Sequence, residues 1–127
     1  MDNWQLWLWL ALAGAAGTLS RYLLGGACHQ MFGEAFPWGT FIINVLGSFA
    51  FGIVWALSAE RNVLGPEIRT VVLIGFMGAF TTFSTLMFDS GQMLRDGQLL
   101  LCGANLLGQN ALGLLGFFGG LRLGQSI

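Results

Sequence analysis

Three groups of polar side chains interrupt an otherwise apolar chain, and their spacing is what could do chemistry. Thr40, Asn44 and Ser48 recur every four residues, so on a helix they share one face. Thr81, Thr82, Ser84 and Thr85 crowd into the stretch Gly75-Phe-Met-Gly-Ala-Phe-Thr-Thr-Phe-Ser-Thr-Leu-Met-Phe-Asp89. Hydroxyl groups at that density bond neighbouring backbone and favour a local break in a helix. Asn105 and Gln109 stand one turn apart, followed by Asn110 and Gly113. Such side chains would form a ladder of hydrogen-bond donors along otherwise apolar helices. The bland reading is interhelical glue, a common role for such side chains. Three polar stripes in 127 residues favour a pore lining over glue alone.

Two charges stand within or beside these segments. Arg21 either snorkels to headgroups or makes an electropositive vestibule that attracts an anion. Asp89 has no obvious partner in its own segment and is expected near its aqueous end. Residues for bond-breaking chemistry are missing from the sequence. There is no pair of carboxylates in the apolar segments, no Ser/His/Asp set, no phosphate loop and no metal-ligand cluster. His29, the only histidine, is expected in the first loop. Cys28 and Cys102 lack metal or disulfide spacing. An enzyme is therefore not expected. A net charge of −1 argues against a nucleic-acid partner, which calls for a basic stripe.

These side chains must be positioned by helices in a membrane. The chain is 55% hydrophobic and 9% charged, where a soluble domain is nearer a quarter charged. A spanning helix needs about 20 mainly apolar residues. Four segments qualify, over 4–24, 37–58, 68–94 and 99–121. The expected fold is a single all-α membrane domain of four transmembrane helices, the third broken at mid-membrane. A broken helix exposes carbonyls to a cation, and N–H groups at the new helix start to an anion. Pro37 and Pro66 fall at helix starts, where a missing N–H is harmless. Trp4, Trp7, Trp9 and Trp38 sit near span ends, as an interfacial belt would place them. The 20 glycines let helices approach closely where lipid supplies no hydrophobic drive.

Four spans put both termini on one side, with Arg61, Arg69 and Arg122, and leave Arg95 and Arg21 on the other. That balance gives the positive-inside rule almost nothing to act on. One weakly biased topology and insertion in both orientations stay open. Four helices of this length enclose little volume, so a pathway runs more plausibly between subunits than within one.

Three stretches together resemble the Fluc/CrcB family of small fluoride channels. They are Gly14-x-x-Gly-x-x-x-Arg21, Trp38-Gly-Thr-x-x-x-Asn44-x-x-Gly47 and Gly75-Phe-x-Gly-x-x-Thr-Thr-Phe-Ser-Thr85. The resemblance covers all four spans in order. It implies an antiparallel, dual-topology homodimer in the cell's inner membrane, with two fluoride pores along the subunit interface that passively export cytoplasmic fluoride. It implies a sodium ion at the dimer centre, held by the backbone carbonyls of Gly78 and Thr81. By motif position, Asn44 and Phe83 line the fluoride pore. Thr40, Thr82 and Ser84 add hydroxyls, Asn105 and Gln109 continue the polar track, and Arg21 stands at the vestibule. The chain departs from the family pattern at Leu86, where a second phenylalanine is usual, and at Gly113, where serine is frequent. Two other readings remain: a proton-coupled small multidrug antiporter and a structural membrane subunit that transports nothing. The antiporter needs a carboxylate within the first span, and 4–24 has none.

Overall fold

The structure, a computed structural model, describes residues 2–127. It consists of α1 (Asn3–Phe32), α2 (Trp38–Glu60), α3 (66–80), α4 (Phe83–Arg95) and α5 (Leu99–Ser126). Two stretches wind more widely: α2 ends in a π-turn over Ala56–Glu60, and α3 carries one over Val71–Met77. Among the described residues there is no strand.

Helix ends follow local chemistry. Gly33 takes φ 75° and returns its N–H to the His29 carbonyl at 2.9 Å, a left-handed stop that costs glycine least. Gly97 takes φ 72° between α4 and α5. Pro66 occupies the first turn of α3 behind Gly65, where its missing donor is no loss. The rings of Phe32 and Trp38 lie 5.9 Å apart, so α2 starts beside the end of α1. Arg61 donates from Nη1 to the Gln125 carbonyl at 2.8 Å, so α2 and α5 finish side by side. The rods therefore run up and down.

Glycines set how closely the rods pack. A Cβ on Gly17 would overlap the Phe76 carbonyl, which joins α1 to α3. A Cβ on Gly52 would overlap the Phe117 carbonyl, and one on Gly120 the Phe49 carbonyl, which joins α2 to α5. Gly47 presses on Thr81 and Phe80 at the break. Backbone rests on backbone at these points, and the apolar core between them is small: Ile43, Leu73, Met77 and Phe80. The outer surface is apolar instead. Leu100 is 87% exposed, Leu107 74% and Trp7 68%. A surface of that kind belongs against lipid or protein rather than water.

The sequence expectation holds for the helical class and for the broken third element, and it needs two corrections, both at the end of α1. α2, the combined length Pro66–Arg95 and α5 are long and apolar enough to cross a membrane. α1 has the length but not the hydropathy, because its tryptophans, glycines and Arg21 dilute its leucines. Three helices thus meet the requirement by length and composition, and α1 stands beside them as a further helix of spanning length. α1 also runs eight residues past position 24, through Gly25 and Gly26. His29 consequently lies in its last turn rather than in a loop, with Nε2 3.1 Å from Glu34 Oε1.

Candidate functional site

The break begins at Thr81. Its N–H and its hydroxyl both donate to the Met77 carbonyl, at 3.0 and 2.9 Å. Thr81 then turns extended (ψ 159°), as does Thr82 (φ −151°, ψ 113°). α4 restarts with Thr82 as its cap, the hydroxyl oxygen accepting from the Thr85 N–H at 3.2 Å. A side-chain cap of this kind satisfies one of the orphan donors at a helix start.

An extended interruption leaves backbone groups that apolar surroundings cannot satisfy. Asn44 on α2 satisfies both of Thr82's. Its Oδ1 accepts from the Thr82 N–H at 2.8 Å, and its Nδ2 donates to the Thr82 carbonyl at 3.1 Å. The carbonyls across the break lose their helical partners as a result, those of Gly78 and Thr81 among them. The donor four residues beyond Gly78 is the Thr82 N–H, which is turned to Asn44. The donor four residues beyond Thr81 is the Thr85 N–H, which is turned to the Thr82 hydroxyl.

From Asn44 the hydrogen bonding continues across the interior. Nδ2 also donates to Gln109 Oε1 at 2.7 Å. Gln109 Nε2 donates to Asn105 Oδ1 at 2.7 Å, and Asn105 Nδ2 donates to Ser90 Oγ at 3.0 Å. Every amide in the chain points the same way, and the break dictates the direction. A backbone N–H can only meet an oxygen, so Thr82 fixes how Asn44 is turned. Asn44 then fixes Gln109, and Gln109 fixes Asn105. Bonds aligned in series polarise one another. Asn105 is fully buried and Gln109 is 4% exposed.

Two clefts flank the break and share Thr82. One, of about 470 Å³, is lined by Asn44, Ser48, Phe83, Leu86 and Gln109 among others. The second, of about 820 Å³, lies between α1 and α2 and carries Arg21, Thr40 and Thr85. Arg21 has no hydrogen-bond or ion-pair partner among the described residues. Phe83 is 72% exposed and projects from the chain, and Ser84 beside it is exposed. Leu86 is buried, Phe80 stacks on Phe76 at 5.7 Å, and Phe88 faces outward.

The structure brings Asn44, Thr82, Phe83 and Gln109 to one cleft and Arg21, Thr40 and Thr82 to the other. Asn105 lines neither and stands behind Gln109. Gly78 is exposed on the chain's surface. Asp89, without a partner in its own helix, accepts from the Thr40 hydroxyl at 3.0 Å. Ser90 closes the amide series and was not among the residues singled out from sequence. No four-residue spacing ties it to Asn105, since the two meet only when α4 folds back on α5.

Residues 8–121 match the family described as "CrcB-like protein, Camphor Resistance (CrcB)". The chain is similar to a protein of Nitrosococcus oceani named fluoride-specific ion channel FluC, 54% identical over 98% of this chain and 99% of the relative. A protein of the same name from Solidesulfovibrio magneticus is 54% identical over 93% and 94% of the two chains. Another, from Maridesulfovibrio salexigens, is 48% identical over 95% and 96%.

Proposed function

The chain belongs to the CrcB family, and from that membership and the geometry of the break we propose a passive fluoride pathway formed where two copies meet. It is a multi-pass membrane protein and a fluoride channel. The observation that carries the pathway is the pair of clefts meeting at Thr82, the smaller bordered by Asn44, Ser48 and Gln109 and the larger by Thr40, Thr85 and Arg21. Fluoride holds its water tightly, so a selective path must replace that shell with close donors yet bind weakly enough to release. Asn44 and Ser84 offer donors of that strength, Thr40 and Thr82 carry hydroxyls whose protons rest on Asp89 and Thr85 and can turn to an anion, and the Phe83 ring offers its electropositive edge. Arg21 concentrates anions at the mouth of the larger cleft without entering the narrow part. Asn105 acts through Gln109, which borders the path.

Two copies in opposite orientation make the path whole, and α1 serves as the fourth span in the inner membrane. The near-balanced arginines support that arrangement. So do the exposed Phe83 and Gly78, which one chain leaves uncovered. A sodium ion at the dimer centre suits the chemistry, because the Gly78 and Thr81 carbonyls are hard oxygen donors without their helical partners. Bound there, the ion would neutralise carbonyl dipoles and hold the breaks of the two copies together. The antiporter reading fails on α1, which carries no carboxylate between Asn3 and Phe32.

Purified protein in sealed liposomes loaded with fluoride tests the reading. A fluoride electrode outside should record release well above that from protein-free vesicles. Equal release from the two would end the channel reading and leave a structural subunit.

A further inference from the structure

We propose that Gln109 is a positioning residue whose side-chain carbonyl keeps the anion's place on Asn44. It holds the one Asn44 N–H that an incoming anion can take, and gives it up when the anion binds. This inference rests on the fluoride-channel reading above.

The accounting of Asn44 leads to it. A side-chain amide has two N–H donors and one carbonyl acceptor. In Asn44 both donors are engaged, one by the Thr82 carbonyl at 3.1 Å and one by Gln109 Oε1 at 2.7 Å. The carbonyl is engaged by the Thr82 N–H at 2.8 Å. The Thr82 side cannot be released without stranding unwound backbone in apolar surroundings. The N–H facing Gln109 is therefore the only one open to exchange. Asn44 and Gln109 both border the smaller cleft, so an anion there reaches that N–H by displacing Gln109 Oε1.

Gln109 is equipped for the part. Its Nε2 is tied to Asn105, which is itself tied to Ser90. These ties aim its carbonyl at Asn44 instead of into the cleft. The Asn44 donor is then never bare: it passes from one acceptor to another. An unpaired buried donor would bind the first anion tightly and hold it. A donor already engaged by a neutral carbonyl binds the anion only by the difference between the two acceptors, which permits exit.

Initial fluoride efflux from liposomes, measured against internal fluoride concentration, tests this. Gln109→Met keeps the length and removes the acceptor, so half-saturating fluoride should fall about tenfold, the scale set by an unpaired buried donor. Gln109→Glu offers a stronger, charged acceptor, so half-saturating fluoride should rise. Asn105→Leu frees Gln109 to turn away and should lower half-saturation in the same sense as Gln109→Met, by a smaller factor. That variant carries the lowering arm if Gln109→Met fails to assemble. General damage to the fold would not move half-saturation in opposite directions. Shifts in one direction for all variants, or no shift in assembled protein, overturn the inference. Wild-type vesicles that release no fluoride overturn the channel reading instead.

Discussion

Asn44 holds the backbone of Thr82 by two antiparallel bonds, 2.8 Å from the Thr82 N–H to Oδ1 and 3.1 Å from Nδ2 to the Thr82 carbonyl. A side chain thus replaces the neighbouring turn of helix that Thr82 gives up. The break is then a stable conformation rather than a strained one, and the group that stabilises it also faces the cleft.

Asn44→Asp should separate the two duties. The carboxylate still accepts from the Thr82 N–H but no longer donates to Thr82 or Gln109, and it puts negative charge in an anion path. Fluoride efflux should fall by at least about tenfold, the effect of about 1.4 kcal/mol, in protein that still elutes as the unaltered chain does. Unchanged efflux from Asn44→Asp protein that elutes as the unaltered chain does would remove Asn44 from the path.

Leu86→Phe restores the ring that the family pattern carries. Leu86 is 6% exposed yet borders the smaller cleft, which has room for a larger side chain on one side. Fluoride efflux, or its ratio to chloride efflux, should change by at least about twofold. Overpacking should cost about 1–3 kcal/mol at most. Identical transport would show that position 86 does not face the path.

Glycine contacts predict a sharp contrast in stability. Gly120→Ala sets a Cβ into the Phe49 carbonyl, and Gly26→Ala meets nothing within 4 Å. Thermal unfolding in detergent should be destabilised by about 1–3 kcal/mol for the first, as for other overpacked sites. The second should be neutral or slightly stabilising, because alanine favours a helix by about 0.5–1 kcal/mol. Equal melting of the two variants would mean that α2 and α5 do not pack backbone to backbone.

The proposed dual topology predicts a labelling pattern. Ser126→Cys places a thiol at the exposed end of α5, while the native Cys28 and Cys102 are 4% and 3% exposed. A membrane-impermeant maleimide applied to sealed vesicles should label about half of the new thiols, as equal insertion of a chain without charge bias requires. Labelling of nearly all or nearly none would assign a single orientation.

Much of this arrangement is legible in the sequence, and the rest has physical reasons for being hidden. The break is local: two threonines before Phe83, with glycines upstream, weaken a helix whatever surrounds it. The shared face of Thr40, Asn44 and Ser48 follows from helical period alone. Partnerships across helices do not. Asn44 meets Gln109 across 65 positions and Thr40 meets Asp89 across 49, and no local rule encodes either. The end of α1 is hidden differently. Gly25 and Gly26 look like a terminus, but Gly25 lies against Gly39 of α2 at close range. Tertiary packing thus outweighs the local cost of glycine in a helix. Asn105 shows the limit of periodicity, which places it on the same face as Gln109 but cannot reveal that Gln109 stands between it and the cleft.

The claim that matters most is selective, passive conduction of fluoride. Sealed vesicles loaded with fluoride and chloride together, at equal pH inside and out, test it when both anions are recorded outside after addition of a potassium ionophore. The account predicts that fluoride leaves down its gradient while chloride stays at the level of protein-free vesicles. Release of both anions at similar rates, or of neither, would contradict it.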